Sequence, residues 1–362
     1  MHKIVAQALQ TGCLAFFLSA AAALADSPQI YKAHCSSCHG SDRLGGSGPA
    51  LLPESLVRLK KTDAVKTIEN GRPATQMPGF KGVLSNSEID GLVDYIYTPL
   101  KKAPVWNAQQ IRASRSVTSK KLGDKPVYQA DMLNVFVVVE TGDHFATILN
   151  GDTFEPIIRF PTRYALHGGP KFSPDGRYVY FSSRDGWVSK YDLWNLETVA
   201  EIRVGINTRN IAISSDGRYV MAANYLPHDV VILNANDLSL LKIIPATDEK
   251  GQSSRVSAVY DAAPRKSFVV ALKDVPELWE ISYDDNALPI YPGLVHDYKM
   301  GEGIAVPGKL NPRRTPLETS LDDFFFDQSY TNLIGASREG KAQVVNLNIR
   351  RKIADLDLTG MP

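Results

Sequence analysis

The segment Ser173-Pro174-Asp175-Gly176-Arg177-Tyr178-Val179 occurs again, nearly unchanged, as Ser214-Ser215-Asp216-Gly217-Arg218-Tyr219-Val220, 41 residues further along the chain. Weaker copies of the same pattern, a polar turn followed by an apolar strand, lie at 131–138, 263–269 and 328–334. A period of about 40 to 50 residues is typical of β-propeller blades, each a four-stranded sheet that cannot bury both faces alone. A β-sandwich would also contain alternating strands, but it has no reason to repeat.

The repeats predict an all-β propeller over residues 110–362. About five blade starts can be counted, and the stretch between Asp284 and Asp323 is expected to carry an insertion or a degenerate blade. Because an open ring would expose unpaired strand edges, we expect this region to be an incomplete propeller from a longer protein rather than a closed six-bladed ring.

The segment before the repeats contains Cys35-Ser36-Ser37-Cys38-His39, a CxxCH motif. Two cysteines at this spacing, followed directly by histidine, are typical of covalent c-type haem attachment: the thiols of Cys35 and Cys38 bond the vinyl groups, and His39 binds the iron. A zinc half-site would need further ligands at finger-like spacing, and the only other cysteine is Cys13. A redox dithiol would require a strand-to-helix context that the surrounding sequence lacks.

Residues 26–100 are predicted to form a small all-α cytochrome c domain. A first helix is expected over 31–39. Met77, in the Pro/Gly-rich loop 71–80, is the candidate for the second axial ligand, because a thioether in such a loop is a common ligand of c-type haem iron. The alternative is a methionine that fills a gap in the core. His34 is the rival ligand, although its position next to the motif places it on the proximal side.

The last helix of this domain has a clear sequence pattern. Ser85-Asn86-Ser87-Glu88 is a capping box. Apolar residues at Ile89, Leu92, Val93 and Ile96 then recur at helical spacing, and Thr98-Pro99 ends the helix. Residues 101–109 are predicted to be a linker, with Lys101 and Lys102 as solvated residues rather than a docking patch for a redox partner.

Composition is that of an ordinary protein with no global bias towards nucleic acid or lipid: 362 residues, 44% hydrophobic, with a formal net charge of +1. Residues 1–25 differ, because a basic start precedes an apolar run that closes with Ala23-Leu24-Ala25. This pattern predicts a cleaved secretory signal and a periplasmic location, which fits a haem attached outside the cytoplasm. No membrane span is expected after the signal is removed.

A haem c domain followed by this propeller resembles the cytochrome cd1 family, whose eight-bladed propeller holds a non-covalent haem d1. The resemblance is most specific at 164–167 (Tyr-Ala-Leu-His), 183–186 (Ser-Arg-Asp-Gly), 192–194 (Asp-Leu-Trp) and 207–209 (Asn-Thr-Arg). It implies that His167 is the ligand of the d1 iron, although a lone histidine before two glycines could also be an ordinary turn residue.

The resemblance also implies which arginines contact the second macrocycle. Arg184 and Arg209 are expected to face its carboxylates, and Arg163 and Arg255 are further candidates, because guanidinium groups bind carboxylates through paired hydrogen bonds. Arg184 and Arg209 could equally be ordinary surface residues on blade turns.

The residues expected above the d1 ring differ from those of the family's nitrite reductases. Those enzymes place two histidines there, whereas this chain has Lys273 at the first position and, in a poorer alignment, Asp322 near the second. A protonated lysine has no lone pair and an aspartate repels an anion, so nitrite reduction is poorly supported.

The chain is similar to the dihydro-haem d1 dehydrogenase branch of the family, particularly at 160–170 and 45–53. This implies an enzyme that oxidises a propionate arm of a dihydro-haem d1 precursor to an acrylate and passes electrons to haem c. The alternatives are a carrier that delivers d1 to nitrite reductase, nitrite reductase itself, or an electron-transfer cytochrome with an empty propeller. The catalytic base is open, with Lys273, His228 and His296 as weak candidates. Nitrite reductase and other assembly proteins of haem d1 are the expected partners.

Overall fold

The computed structural model describes residues 26–357, apart from residues 58, 74, 103, 292–304, 338, 339 and 341. The predicted signal segment, with Cys13, and the candidate base His296 therefore lie outside the described residues. The chain divides into two compact units: one contains the residues up to 104 together with 140–144, and the other contains 105–139 and the residues from 145 onwards.

The first unit is helical. Its helices are α1 (26–34), α2 (Ser36–His39), α3 (Pro53–Leu56), α4 (Lys61–Asn70) and α5 (Asn86–Tyr97). The prediction of one continuous helix over 31–39 is wrong. Helical geometry breaks at Cys35, whose φ of −117° lies outside the helical range, so the first cysteine of the motif lies at the joint between α1 and α2.

Helix α5 agrees with the pattern predicted for it. The Ser85 side chain accepts a hydrogen bond from the Glu88 amide, and the Glu88 carboxylate accepts one from the Ser85 amide at 2.7 Å. The four predicted apolar positions of α5 are all buried, three of them in one cluster with Tyr31 and Leu56. Helix α5 thus covers the core of the first unit.

The second unit begins with helix α6 (Ala108–Ala113) and continues in antiparallel strands. The strands are β1 (Ser116–Val117), β2 (Val135–Glu140), β3 (Phe145–Asn150), β4 (Pro156–Pro161), β5 (Lys171–Phe172), β6 (Tyr178–Ser182), β7 (Trp187–Asp192), β8 (Glu197–Arg203), β9 (Asn207–Ile213), β10 (Tyr219–Leu226), β11 (Asp229–Asn234), β12 (Leu240–Pro245), β13 (Val256–Ala262), β14 (Ser267–Leu272), β15 (Glu277–Ser282), β16 (Pro312–Pro316), β17 (Asp323–Phe326), β18 (Asn332–Ala336), β19 (Ala342–Asn346) and β20 (Arg351–Leu356).

Within the described residues these strands form five sheets, in which sequential strands are neighbours. The sheet orders are β2-β3-β4, β1-β8-β7-β6-β5, β12-β11-β10-β9, β13-β14-β15-β16 and β17-β18-β19-β20. The predicted architecture of a helical domain followed by a propeller is therefore confirmed. The total of eight blades, and the incompleteness of the ring, stay predictions.

The repeated turn has the same hydrogen bonds in both copies. Asp175 accepts from the Arg177 amide and the Ser173 hydroxyl, and Asp216 accepts from the Arg218 amide at 3.0 Å and the Ser214 hydroxyl. The glycine after each aspartate has φ of +71°, which explains why glycine recurs there. Each turn joins the first and second strands of its sheet and thereby sets their register.

The second strands of the three middle sheets, β6, β10 and β14, bury both faces, as is typical of a propeller. In β6, Val179 and Phe181 enter the apolar cluster shared with the preceding sheet, whereas Tyr180 enters the cluster shared with the following sheet. In β14, Phe268 and Val269 divide in the same way. Because side chains alternate along a strand, successive blades bury one another, which is why the repeat is needed for stability.

The predicted insertion or degenerate blade at 284–323 contains β16, which is the fourth strand of the sheet that begins with β13. In the described part of the segment between β15 and β16, Ile290 pairs with Val306 as an isolated bridge, so this part is an insertion within one sheet; residues 292–304 lie outside the described residues. None of the described helices is long and apolar enough to cross a membrane.

Candidate functional site

The histidine of the CxxCH motif is held in the orientation that an iron ligand needs. His39 is 7% exposed, and its Nδ1 donates a hydrogen bond to the Pro49 carbonyl at 2.8 Å. This bond fixes the tautomer in which Nε2 carries the lone pair. Burial also lowers the pKa of His39, which favours the neutral ligand form.

The loop after the motif fits closely around this ring. A side chain at Gly48 would place its Cβ 2.9 Å from Cε1 of His39, so only glycine permits the contact. Burial raises the pKa of the Cys35 thiol to about 11, while Cys38 is exposed, and neither forms a disulfide. Two unbridged thiols beside an oriented imidazole fit a covalently held haem. Nothing in the sequence indicated that the Pro49 carbonyl would orient the His39 ring.

Met77 lies in a loop that its own backbone holds together. The Arg72 amide donates to the Met77 carbonyl at 3.1 Å, and a Cβ on Gly71 would lie 2.7 Å from that same oxygen. The Met77 side chain is half-buried. This constrained loop suits a fixed ligand, and the role of Met77 as the second axial ligand stays a prediction.

The candidate residues of the second unit lie at one end of the sheets. Antiparallel pairing brings the start of each first strand beside the end of each second strand, as in Leu166 with Ser183 and Val256 with Leu272. The predicted site residues fall at these positions in four successive sheets: His167, Arg184, Arg209, Arg255, Lys273 and Asp322.

His167 is oriented in the same way as His39. Its Nδ1 donates to the Arg209 carbonyl at 2.6 Å, which fixes the tautomer in which Nε2 carries the lone pair. The backbone of His167 is fixed as well, because its amide donates to the Ser182 carbonyl at 2.8 Å and the Ser182 hydroxyl donates back to the His167 carbonyl at 2.6 Å. An ordinary turn histidine does not need a backbone held by two reciprocal bonds.

Gly168 permits this arrangement. Its φ is +83°, and a Cβ there would lie 2.7 Å from Oδ1 of Asn210 and 3.0 Å from the Arg209 carbonyl oxygen. A residue with a side chain would therefore push the His167 loop away from β9, which carries the carbonyl that orients the ring.

Two of the candidate arginines are each held by a carboxylate. Arg163 pairs with Glu201 through Nε and Nη2, and Arg255 pairs with Asp274 through the same two nitrogens. Neither arginine uses Nη1 in a hydrogen bond with the described residues. Each guanidinium is therefore fixed in direction and keeps a pair of N–H donors, which fits the binding of an additional carboxylate.

The other two arginines differ in exposure. Arg184 is exposed, and its amide donates to the Ala165 carbonyl at 3.1 Å, which places it beside the His167 loop. Arg209 is half-buried with its guanidinium carbon 4.4 Å from the centre of the Tyr225 ring. The contact of all four arginines with a macrocycle stays a prediction.

Lys273 and Asp322, the two residues that the family resemblance places above the d1 ring, form an ion pair. The ammonium of Lys273, at the end of β14, contacts the carboxylate of Asp322, which precedes β17 of the next sheet. The Lys273 residue is 8% exposed. The contact pairs a nearly buried ammonium with a carboxylate, and in its protonated form lysine has no lone pair, whereas a carboxylate has lone pairs that can accept a proton. A catalytic role for Lys273 stays a prediction.

The remaining candidate base is a histidine at the same end of the third sheet. His228 lies between β10 and β11, and its Nδ1 is 2.7 Å from the Ser253 hydroxyl. It is half-buried rather than enclosed. A surface role was the preferred interpretation of His228, and its catalytic role stays a weak prediction.

Sequence reasoning missed a buried polar chain beneath this end of the third sheet. The Thr208 hydroxyl donates to Oδ1 of Asn224, and Nδ2 of Asn224 donates to the Asp229 carboxyl at 2.7 Å. Burial raises the pKa of Asp229 to about 7. The only signal available in the sequence was an aspartate directly before the apolar run 230–233.

Replacing Asp229 by asparagine is expected to stabilise the protein more at pH 8 than at pH 5. Because the folded-state pKa is raised, the folded chain holds the proton that the unfolded chain releases, and the stability of the wild type falls as the pH rises towards about 7. Asparagine keeps the acceptor for Asn224 and does not ionise. The free energy of unfolding of the variant relative to the wild type should rise by about 2–3 kcal/mol, or ~5–10 °C in Tm, from pH 5 to pH 8. If the difference in Tm between the variant and the wild type is the same at pH 5 and pH 8, the raised pKa assigned to Asp229 is wrong.

Two family models match the chain at the places that the geometry indicates. Cytochrome D1 heme domain matches residues 130–293, and Cytochrome C oxidase, cbb3-type, subunit III matches residues 22–96. The nitrite reductase of Stutzerimonas stutzeri is 28% identical over 277 residues, which cover 71% of this chain and 48% of that protein.

A second relative is considerably more similar. The dihydro-heme d1 dehydrogenase of Pseudomonas aeruginosa is 52% identical over 354 residues, which cover 96% of this chain and 68% of that protein. The solved structure of dihydro-heme d1 dehydrogenase NirN in complex with DHE superposes with a TM-score of 0.82 at 52% identity, covering 92% of this chain and 68% of that one. The chain therefore belongs to the dihydro-heme d1 dehydrogenase family.

Proposed function

We propose that this chain is an oxidoreductase that binds dihydro-haem d1 in its propeller and oxidises one propionate arm to an acrylate during haem d1 biosynthesis. The observation that carries the proposal is the orientation of His167, whose Nδ1 is fixed by the Arg209 carbonyl so that Nε2 can bind iron. The 52% identity to a dihydro-heme d1 dehydrogenase over 96% of the chain supports the same reaction.

The chain's own residues bind and orient the substrate. His167 supplies an axial ligand, and the N–H donors of Arg163 and Arg255 bind carboxylates of the macrocycle, with Arg184 and Arg209 at the same end of the sheets. Charge-assisted hydrogen bonds of this kind would hold one propionate arm in a fixed position, while those to the other carboxylates of the macrocycle anchor the ring.

Oxidation removes two electrons and two protons from the saturated arm. Haem c, when bound at Cys35, Cys38 and His39, supplies a one-electron acceptor that must be reoxidised between steps. Of the two residues in the ion pair, Asp322 is the candidate to receive a proton, because a carboxylate has lone pairs and a protonated lysine has none. His228, at the same end of the third sheet, is a further candidate for the base.

The same ion pair argues against nitrite reduction. Protonation of bound nitrite needs donors that can cycle between charge states, whereas an ammonium locked to a carboxylate is a poor donor and the carboxylate repels the anion. The partners that we propose are the haem d1 precursor itself, cytochrome cd1 nitrite reductase and other assembly proteins of haem d1. We further propose export to the periplasm, which rests on the sequence of residues 1–25.

The function is tested by mixing the protein, loaded with covalent haem, with dihydro-haem d1 and following the visible spectrum together with the mass of the extracted tetrapyrrole. Loss of two hydrogen atoms with reduction of haem c is expected. Tight binding without conversion would indicate a carrier instead, and nitrite turnover with a reduced donor would indicate a nitrite reductase.

A further inference from the structure

The aromatic ring of Tyr225 has three cations around it, and neither the motifs nor the comparisons assign this residue a role. The guanidinium carbons of Arg209 and Arg255 lie 4.4 Å and 5.2 Å from the ring centre, and the Lys273 ammonium lies 5.9 Å away. All three distances fall within the range of about 6 Å in which a ring face attracts a cation.

The backbone directs Tyr225 into this position. It lies in β10 between Asn224, which pairs with Thr208, and Leu226, which pairs with Asn207. The register of β10 against β9 shifts on both sides of Asn224, so the strand is bulged here. Bulges redirect side chains and are common beside functional sites, which explains how a strand residue comes to face cations from another sheet.

The three cations belong to two neighbouring sheets. Arg209 lies on β9, next to β10, whereas Arg255 precedes β13 and Lys273 follows β14. The Lys273 amide donates to the Arg255 carbonyl at 2.9 Å, so these two are adjacent in the fourth sheet. The ring of Tyr225 thus lies where cations of the third and fourth sheets meet.

Like charges brought together would separate unless other groups held them. Arg255 is fixed on one side by Asp274, and Lys273 by Asp322. The negative face of the Tyr225 ring adds an attraction that is uncharged and therefore does not repel an anionic ligand, as a third carboxylate would. The ring thus helps to hold the guanidinium groups of Arg209 and Arg255 in place, and Nη1 of Arg255 keeps N–H donors for a carboxylate.

We propose that Tyr225 is a positioning residue that aligns the guanidinium groups of Arg209 and Arg255 for the carboxylate side chains of the tetrapyrrole. This inference rests on the proposed function. It adds to that function a residue, between two blades, that positions the arginines which bind the macrocycle's acid groups.

The test compares Tyr225→Leu with Tyr225→Phe, which removes only the hydroxyl group and keeps the ring. Affinity for dihydro-haem d1 is measured by visible titration with haem c kept reduced, so that no electron acceptor allows turnover. Tyr225→Leu is expected to bind about 10-fold more weakly, from the loss of two contacts of ~0.5–1 kcal/mol each. Tyr225→Phe is expected to bind like the wild type, and Tyr225→Met replaces Tyr225→Leu if the latter does not fold.

The carboxyl-esterified form of the same tetrapyrrole separates positioning from packing. The wild type should bind the ester more weakly than the acid, and Tyr225→Leu should bind the ester as well as the wild type does. Equal losses for acid and ester, or no loss for either, would overturn the inference. A wild type that binds dihydro-haem d1 but never oxidises it would overturn the proposed function and leave the role of Tyr225 intact.

Discussion

Replacing His167 by alanine is expected to weaken the binding of dihydro-haem d1 by about 100-fold or more and to remove the visible spectrum of an imidazole-ligated d1 iron. The size follows from the loss of a ligand outright, since even residues that only orient a ligand change metal affinity by about 10- to 100-fold. His167 is held by two backbone bonds and by the bond from Nδ1 to the Arg209 carbonyl, so the ring is placed before any substrate arrives. Equilibrium titration with the reduced protein measures the effect.

Free imidazole provides the control for this variant. The space left by the side chain would admit imidazole, which should restore the ligated spectrum and part of the affinity if the ring acts as a ligand. Thermal unfolding of the variant should stay within a few degrees of the wild type, because His167 is only partly buried. Unchanged affinity and spectrum in the variant would show that another residue binds the iron.

The arginines provide a graded comparison for the same measurement. Arg255 and Arg163 offer hydrogen bonds rather than coordination, so their loss should affect the affinity less than the loss of His167. The order of effects therefore distinguishes a ligand from residues that bind the edge of the macrocycle.

Sequence patterns predicted those parts of the molecule whose causes are local. The capping box at Ser85 and the repeated turn at Asp175 depend on residues two or three positions apart, so the printed order of residues contains the whole interaction. The CxxCH motif is local in the same sense. For the capping box and the repeated turn the prediction and the structure agree closely, whereas the roles of the CxxCH residues stay predictions.

The orientation of His39 and His167, the two histidines predicted to bind iron, could not be predicted in the same way. The ring of His39 is oriented by the Pro49 carbonyl and that of His167 by the Arg209 carbonyl. Every residue type has a backbone carbonyl, so the sequence does not show which one accepts the bond. The break at Cys35 was missed because no residue type at or next to it signals an unusual φ within a helical pattern.

The contacts around Tyr225 and between Lys273 and Asp322 were missed for a different reason. They join residues from different sheets, and the distance between them depends on how the blades pack. The sequence alignment placed Lys273 and Asp322 near the family's distal positions, but only the structure shows that they neutralise one another.

Replacing both Cys35 and Cys38 by serine is expected to abolish covalent haem and to reduce the oxidation of dihydro-haem d1 by about 100-fold or more, while its binding stays at the wild-type level. Serine cannot form the thioether bonds, and without haem c the electrons from the propionate arm have no acceptor in the chain. Binding should persist because His167 and the four arginines belong to the second unit. Haem staining of the denatured protein, visible titration and the rate of conversion measure the three effects separately.

The two residues between the cysteines provide a matched control. Ser36 and Ser37 are both outside the core, and the motif requires only the spacing that they supply, so their replacement by alanine should leave haem attachment and turnover unchanged. Conversion at the wild-type rate in the cysteine-free variant would mean that electrons leave the bound tetrapyrrole by a route other than haem c. Loss of substrate binding in that variant would mean that the first unit contributes to the site, because a propeller that holds the substrate with its own residues does not need the covalent haem to do so.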